Sequence, residues 1–212
     1  MGNAGWGWDD VLPYFRKAET YEGGGDEFRG ESGPLSVSKM PFYRPICDAW
    51  VKSAEASGYK FNNDYNGAQQ EGVGYFQITT RNGRRCSAAV AYLNPARGRP
   101  NLKIITRAQA TKLNFFDGKA GGISYRDGSG AVNEIKVRKE IVLSAGAIGS
   151  PHLLMLSGIG DGEQLQDAGI EVKCDLKGVG KNLQDHLQAR GVFKCNEHTL
   201  NDEANSLSLI HI

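Results

Sequence analysis

Trp8, Leu12, Phe15 and Ala18 recur near the spacing of one helical face. With Asp9 or Asp10 as cap and Pro13 in the first turn, they predict an amphipathic helix over residues 10–19. EGGGDEFRG breaks the period as a loop, and GPLSVS reads as a short strand. Ile46, Trp50 and Ala54 then share one face of a second helix, which Gly58 terminates. Asn, Gly and Gln dominate FNNDYNGAQQEGVG, which makes residues 59–74 a polar loop before YFQITT resumes strand character. Ser87 is placed to cap a short helix in AAVAYLNP, with Asn94-Pro95 ending it.

From residue 102 to 139 the pattern changes to short strand-like runs, LKIIT, ATKLNFF, GGISYRD and AVNEIKV. Two junctions, FDGK and DGSG, carry the Asp-Gly pairs that favour hairpin turns, so a small antiparallel meander is expected. EIVLSAG follows as a near-continuous apolar run of the kind found in strands covered on both faces. Ser150 as N-cap, Pro151 at the first helical position and Gly158 as stop complete a strand, tight turn and helix through EIVLSAGAIGSPHLLMLSGIG. The fold class is α/β, of mixed α+β character.

The 212 residues are 40% hydrophobic, enough for a core, and 25 basic residues nearly balance 24 acidic ones. No run of like charge stands out, so nothing points to nucleic acid or an anionic membrane, and a small or neutral substrate suits the chain better. Cys47, Cys86, Cys174 and Cys195 form no Cys-x-x-Cys pair, which argues against a zinc site or a disulfide framework. They read as small core residues in a reducing compartment, and no metal site is expected. No signal peptide and no run of about 18 apolar residues is visible, so a soluble, cytoplasmic protein is the expectation.

The turn from Ser144 to Gly149 is built almost wholly from small residues. Such a turn beyond a strand lets backbone approach a flat or anionic ligand at a helix terminus. Tight packing of helix on sheet would account for it equally well. GAIGSPHLLMLSGIG followed by GVGKNLQDH, however, resembles the second signature region of the glucose-methanol-choline oxidoreductases, flavoproteins that oxidise alcohols. GWGWDDVLPYFRKAE, GPLSV, NDYNGAQQEGVGYFQ, RNGRRCSAAVAYLNPA and RPNLKIIT extend the resemblance in order along nearly the whole chain, most closely to choline dehydrogenase-like members.

The resemblance implies part of an FAD-binding Rossmann-like domain with its meander, joined to part of an α+β substrate domain. Residues 1–33 would be a connecting helical segment of the FAD-binding region and 34–98 the substrate side. Residues 99–185 would be the second half of the FAD-binding domain, and 186–212 the start of a further substrate-domain segment. It places FAD against the backbone of Ala110 and against Ser144, Ala145 and Gly146. It also sets Arg85, Ser87, Asp185 and His186 in the vicinity of cofactor or substrate. A helix cap accounts fully for Ser87, and Asp185 with His186 would serve equally to pin a loop.

The family's G-x-G-x-x-G and its catalytic histidine match nothing in these residues, so they are expected before Met1 and beyond Ile212. The chain therefore reads as an internal piece, and by itself as inactive. His152 reads as a helix-surface residue, while His198 and His211 sit in unremarkable sequence. The implied partner is a small-molecule alcohol, with no nucleic acid and no membrane span; neither the alcohol nor the electron acceptor is specified. A hydroxynitrile-lyase-like use of FAD and a non-catalytic nucleotide-binding module are the alternatives. Membrane association of the whole protein stays open.

Overall fold

The computed structural model describes residues 4–41, 43–196 and 199. They divide into two units, one drawn from Met1–Leu102 and Val192–Ile212, the other Lys103–Gly191.

In the first unit, α1 (Trp8–Ala18) leads directly into β1 (Glu19–Tyr21), which pairs in parallel with β2 (Leu35–Val37). The helix starts earlier than its caps suggested: Gly7 is the N-cap, and the Asp10 carboxylate reaches back to accept the Gly7 N–H at 3.0 Å. Pro13 consequently lies inside the helix, where the carbonyl its ring leaves without a donor belongs to exposed Asp9. The expected apolar face is only partly covered: Leu12 and Ala18 are half-buried, while Trp8 is 61% and Phe15 69% exposed.

The second helix, α2 (Pro45–Ala56), is as expected in extent and ends at Gly58. Its buried residue is Val51, while Trp50 stacks on Phe193 with ring centroids 5.4 Å apart. YFQITT does not form a continuous strand, since β2 is only three residues long and gives it little to pair with. Ile78 bridges Ser38, and the ladder resumes in the hairpin of β3 (Thr80–Arg81) and β4 (Arg84–Arg85). A π-helical turn, Ala89–Leu93, then runs into α3 (Asn94–Ala96), so Asn94-Pro95 continues the helix rather than ending it. Pro95 occupies the first turn of α3, where a missing N–H costs little.

The second unit contains the meander, β5 (Gln109–Phe116), β6 (Lys119–Arg126) and β7 (Val132–Lys136), antiparallel in that order. Both Asp-Gly junctions turn as expected. LKIIT is not a strand, and neither is EIVLSAG; Val142 is 76% exposed. Each run has apolar strand composition, but no described residue offers it a hydrogen-bonding neighbour, and a strand cannot exist without one. α4 (Gly146–Leu156) packs on β5. Beyond it come β8 (Ile159–Gly160), α5 (Gly162–Asp167) and β9 (Cys174–Asp175), with β8 and β9 parallel. Leu113, Leu153 and Leu165, with the polar Ser124 and Ser157, are among the buried residues of this unit's core.

Of the four cysteines, only Cys86 is buried; Cys47 is half-buried and Cys174 and Cys195 are exposed, a correction to their reading as core residues. No described helix is long and apolar enough to cross a membrane. Among the described residues no group of His, Cys, Asp and Glu is arranged to hold a metal.

Candidate cofactor-facing turn and an arginine cluster

The apolar run 141–143 delivers the chain to Ser144, and helix α4 begins at once, with Ala145 as its N-cap. Ser150 is therefore not the N-cap, and Pro151 lies inside the helix instead of at its first position. The serine still serves the helix start: its Oγ accepts the Ala145 N–H at 3.0 Å, satisfying one terminal donor from within. Gly146 makes the early start sterically possible, with φ +83°, a conformation costly to any residue with a Cβ. Ser144, Ala145, Gly146 and Ala147 are all exposed, and a Cβ added to Gly146 would meet nothing within 4 Å.

Ala110 is exposed at the start of β5, opposite Tyr125, and the pairing with β6 slips between Ala110 and Lys112. That irregularity leaves Thr111 as an extra residue, whose Oγ donates to the Ser124 carbonyl at 3.1 Å. Asp185 and His186 lie exposed in the same unit, and the Asp185 carboxylate accepts the His186 N–H at 2.8 Å. In the other unit, Arg85 is exposed on β4 and Ser87 Oγ accepts the Val90 N–H at 3.3 Å, a cap on the π-helical turn. His152 is exposed on α4, whereas His198 and His211 lie outside the described residues.

Sequence reasoning missed a heavily bonded, buried side chain of the first unit. Arg29, in the loop EGGGDEFRG, is only 2% exposed. Its Nε and one terminal nitrogen grip Glu19 in a fork at 2.9 and 2.8 Å, and the other nitrogen reaches Asp64 at 2.6 Å and Gln77 at 3.0 Å. The guanidinium carbon stands 3.8 Å over the Tyr21 ring. Gln77 closes the cluster by donating to the Tyr21 hydroxyl at 3.1 Å and to Asp64 at 3.0 Å. Burial pushes the Tyr21 hydroxyl above its ordinary value, Asp64 adds to the shift and Arg29 opposes it. The signal available in the sequence was one arginine in an otherwise acidic and glycine-rich loop.

Nearby, Tyr75 donates to the Asp48 carboxylate on α2, and that hydrogen bond is the main reason its hydroxyl is pushed up to about 12. The Tyr75 ring lies 3.8 Å from that of Tyr43. A cleft of 460 Å³ between α1 and the Arg29 loop is lined by Arg16, Lys17, Asp26 and Glu31 among others. Its mixed charge selects no one sign of ligand.

The family model for GMC oxidoreductases matches residues 1–188. The chain belongs to this family. Its sequence is 46% identical over 188 residues to an oxygen-dependent choline dehydrogenase of Sinorhizobium fredii, covering 89% of this chain and 34% of that protein. It is 44% identical to the mitochondrial choline dehydrogenase of Homo sapiens, over 89% of this chain and 32% of that protein. Among solved structures, an FAD-dependent oxidoreductase from Chaetomium thermophilum superposes with a TM-score of 0.80 at 34% identity, over 87% of this chain and 34% of that one. Pyridoxine 4-oxidase from Mesorbium loti gives 0.75 at 34% identity, over 80% of this chain and 33% of its own. The chain thus spans about a third of the length of the relatives it matches. The mixed α/β fold is that of the GMC oxidoreductases, and the cofactor that goes with the family is FAD.

Proposed function

We propose that the whole protein is an FAD-dependent oxidoreductase that oxidises the CH–OH carbon of a small alcohol, with choline the first candidate. The observation that carries this reading is the 46% identity to a choline dehydrogenase across 188 residues. Bound FAD supplies the acceptor for the hydride leaving the alcohol carbon. The hydroxyl proton requires a base, a role assigned to no residue of this chain.

What this chain contributes is binding and shape. Ser144, Ala145 and Gly146 are assigned to the cofactor. Their exposure, the open space beside Gly146 and the first-turn N–H groups of α4 all suit close approach by a flat, anionic molecule. The backbone of Ala110, beside an irregularity of the kind common near active sites, is assigned to the same cofactor. Residues 99–185 are read as the cofactor side and 34–98 as the substrate side, with Arg85, Ser87, Asp185 and His186 assigned to the vicinity of cofactor or substrate. The names of the relatives, dehydrogenases and oxidases, give the lyase alternative no support.

Anaerobic addition of choline to the purified whole protein tests the proposal. Bleaching of the flavin's visible absorbance is expected. Flavin that stays oxidised with both choline and benzyl alcohol sinks the reading.

A further inference from the structure

Burying a guanidinium is costly, and an apolar residue of similar volume often stabilises a fold as well or better. A buried arginine is informative when its planar fork joins groups that would not otherwise stay together. Arg29 does so. Glu19 lies 10 residues before it, Asp64 35 after and Gln77 48 after, so one side chain ties β1 to two points of a distant polar segment.

That segment is braced internally before Arg29 holds it. Asn62 donates through its side-chain nitrogen to the carbonyls of Gln69 at 2.7 Å and Glu71 at 3.2 Å. Its side-chain oxygen accepts the Asp64 N–H at 2.9 Å, and its own N–H reaches the Val73 carbonyl at 2.8 Å. Residues 62–73 therefore form a loop braced by its own hydrogen bonds. Asp64 and Gln77, near its two ends, are the points by which Arg29 grips it. With Gln77 turned toward Arg29, the neighbouring Phe76 is 80% exposed, its ring edge against Tyr65 with centroids 6.2 Å apart.

We propose that Arg29 is a positioning residue that sets where the 62–77 segment, and with it Phe76, is presented to substrate. This rests on the assignment of residues 34–98 to the substrate side. Without the guanidinium, Glu19 and Asp64 converge on a site that holds no cation, so repulsion and desolvation drive the segment outward. Lysine keeps the charge but not the fork, so it cannot hold Glu19, Asp64 and Gln77 together.

The test uses the whole protein carrying Arg29→Lys or Arg29→Met, with choline as substrate. Flavin content should be unchanged, and cleavage at Glu71 by a glutamate-specific protease should accelerate. The ratio kcat/KM should fall about 10- to 100-fold through KM, with kcat nearly unchanged. Cleavage at the unsubstituted rate in both variants overturns the inference. Accelerated cleavage with unchanged KM also overturns it, while leaving alcohol oxidation intact. If both variants aggregate, Asp64→Asn, which removes one charge from the grip, should raise KM to a smaller degree; an unchanged KM there overturns the inference equally. Failure of both choline and benzyl alcohol to bleach the unsubstituted protein refutes the proposed function itself, and this inference with it.

Discussion

The Leu113 N–H donates to the Ser157 hydroxyl at 2.8 Å, and the same hydroxyl donates to the Leu153 carbonyl at 2.6 Å. β5 is an edge strand, so a backbone donor pointing away from β6 has no ladder partner. The serine that closes α4 supplies one, in a place where Ser157 is 1% and Leu113 4% exposed. Ser157→Ala strands that N–H away from water and should destabilise the fold by about 1–3 kcal/mol. Denaturant unfolding of the whole protein checks it, and an unchanged midpoint would mean that water reaches the site.

The turn between β5 and β6 makes a second prediction. Asp117 has φ +50° and Gly118 φ +73°, the left-handed pair of a tight hairpin, and a Cβ on Gly118 would meet no neighbour within 4 Å. The cost of Gly118→Ala is therefore pure backbone strain, about 1–2 kcal/mol. Asp117→Asn should be neutral or mildly stabilising, since Asn tolerates this conformation. Urea midpoints that shift with an unchanged slope are the expected result.

This hairpin was legible in the sequence because everything that determines it lies within a few residues. EIVLSAG was not: its composition is that of a strand, but a ladder depends on a neighbour that sequence proximity does not supply. The start of α4 departs from the sequence pattern for a different reason. Ser150 and Pro151 are good starting residues, yet Gly146 permits an earlier start, and the serine caps backward to Ala145. The turn itself was legible as small and exposed. Arg29 was not legible as a hub, because its burial is decided by Glu19, Asp64 and Gln77, and only the fold brings these together.

Tyr75 should titrate well above the ordinary tyrosine value. The chain has eight tyrosines, so the difference between the unsubstituted protein and Tyr75→Phe is needed to isolate its absorbance change. The hydrogen bond to Asp48 favours the neutral phenol and pushes the hydroxyl to about 12, above the ordinary value near 10. The sign follows: the stabilisation is intact below the ordinary value and is lost as pH rises through about 12. Asp48→Asn should bring the midpoint back toward the ordinary range. A Tyr75 midpoint near 10 in the unsubstituted protein would show that the pair does not form.

Gly146 gives the most direct test of where the cofactor sits. An added side chain there has two separable effects: strain from φ +83°, and volume projected into the open space beside the turn. Gly130, in the DGSG hairpin, has φ +89° and equally open surroundings, so Gly130→Trp carries the strain without the position. If FAD lies against Ser144, Ala145 and Gly146, Gly146→Trp should lower the flavin-to-protein ratio while Gly130→Trp leaves it unchanged. A clash of about 1.4 kcal/mol suffices to weaken FAD binding about tenfold. Equal losses in both variants would trace the effect to backbone strain. Full flavin content in a folded Gly146→Trp protein would remove this turn from the cofactor site.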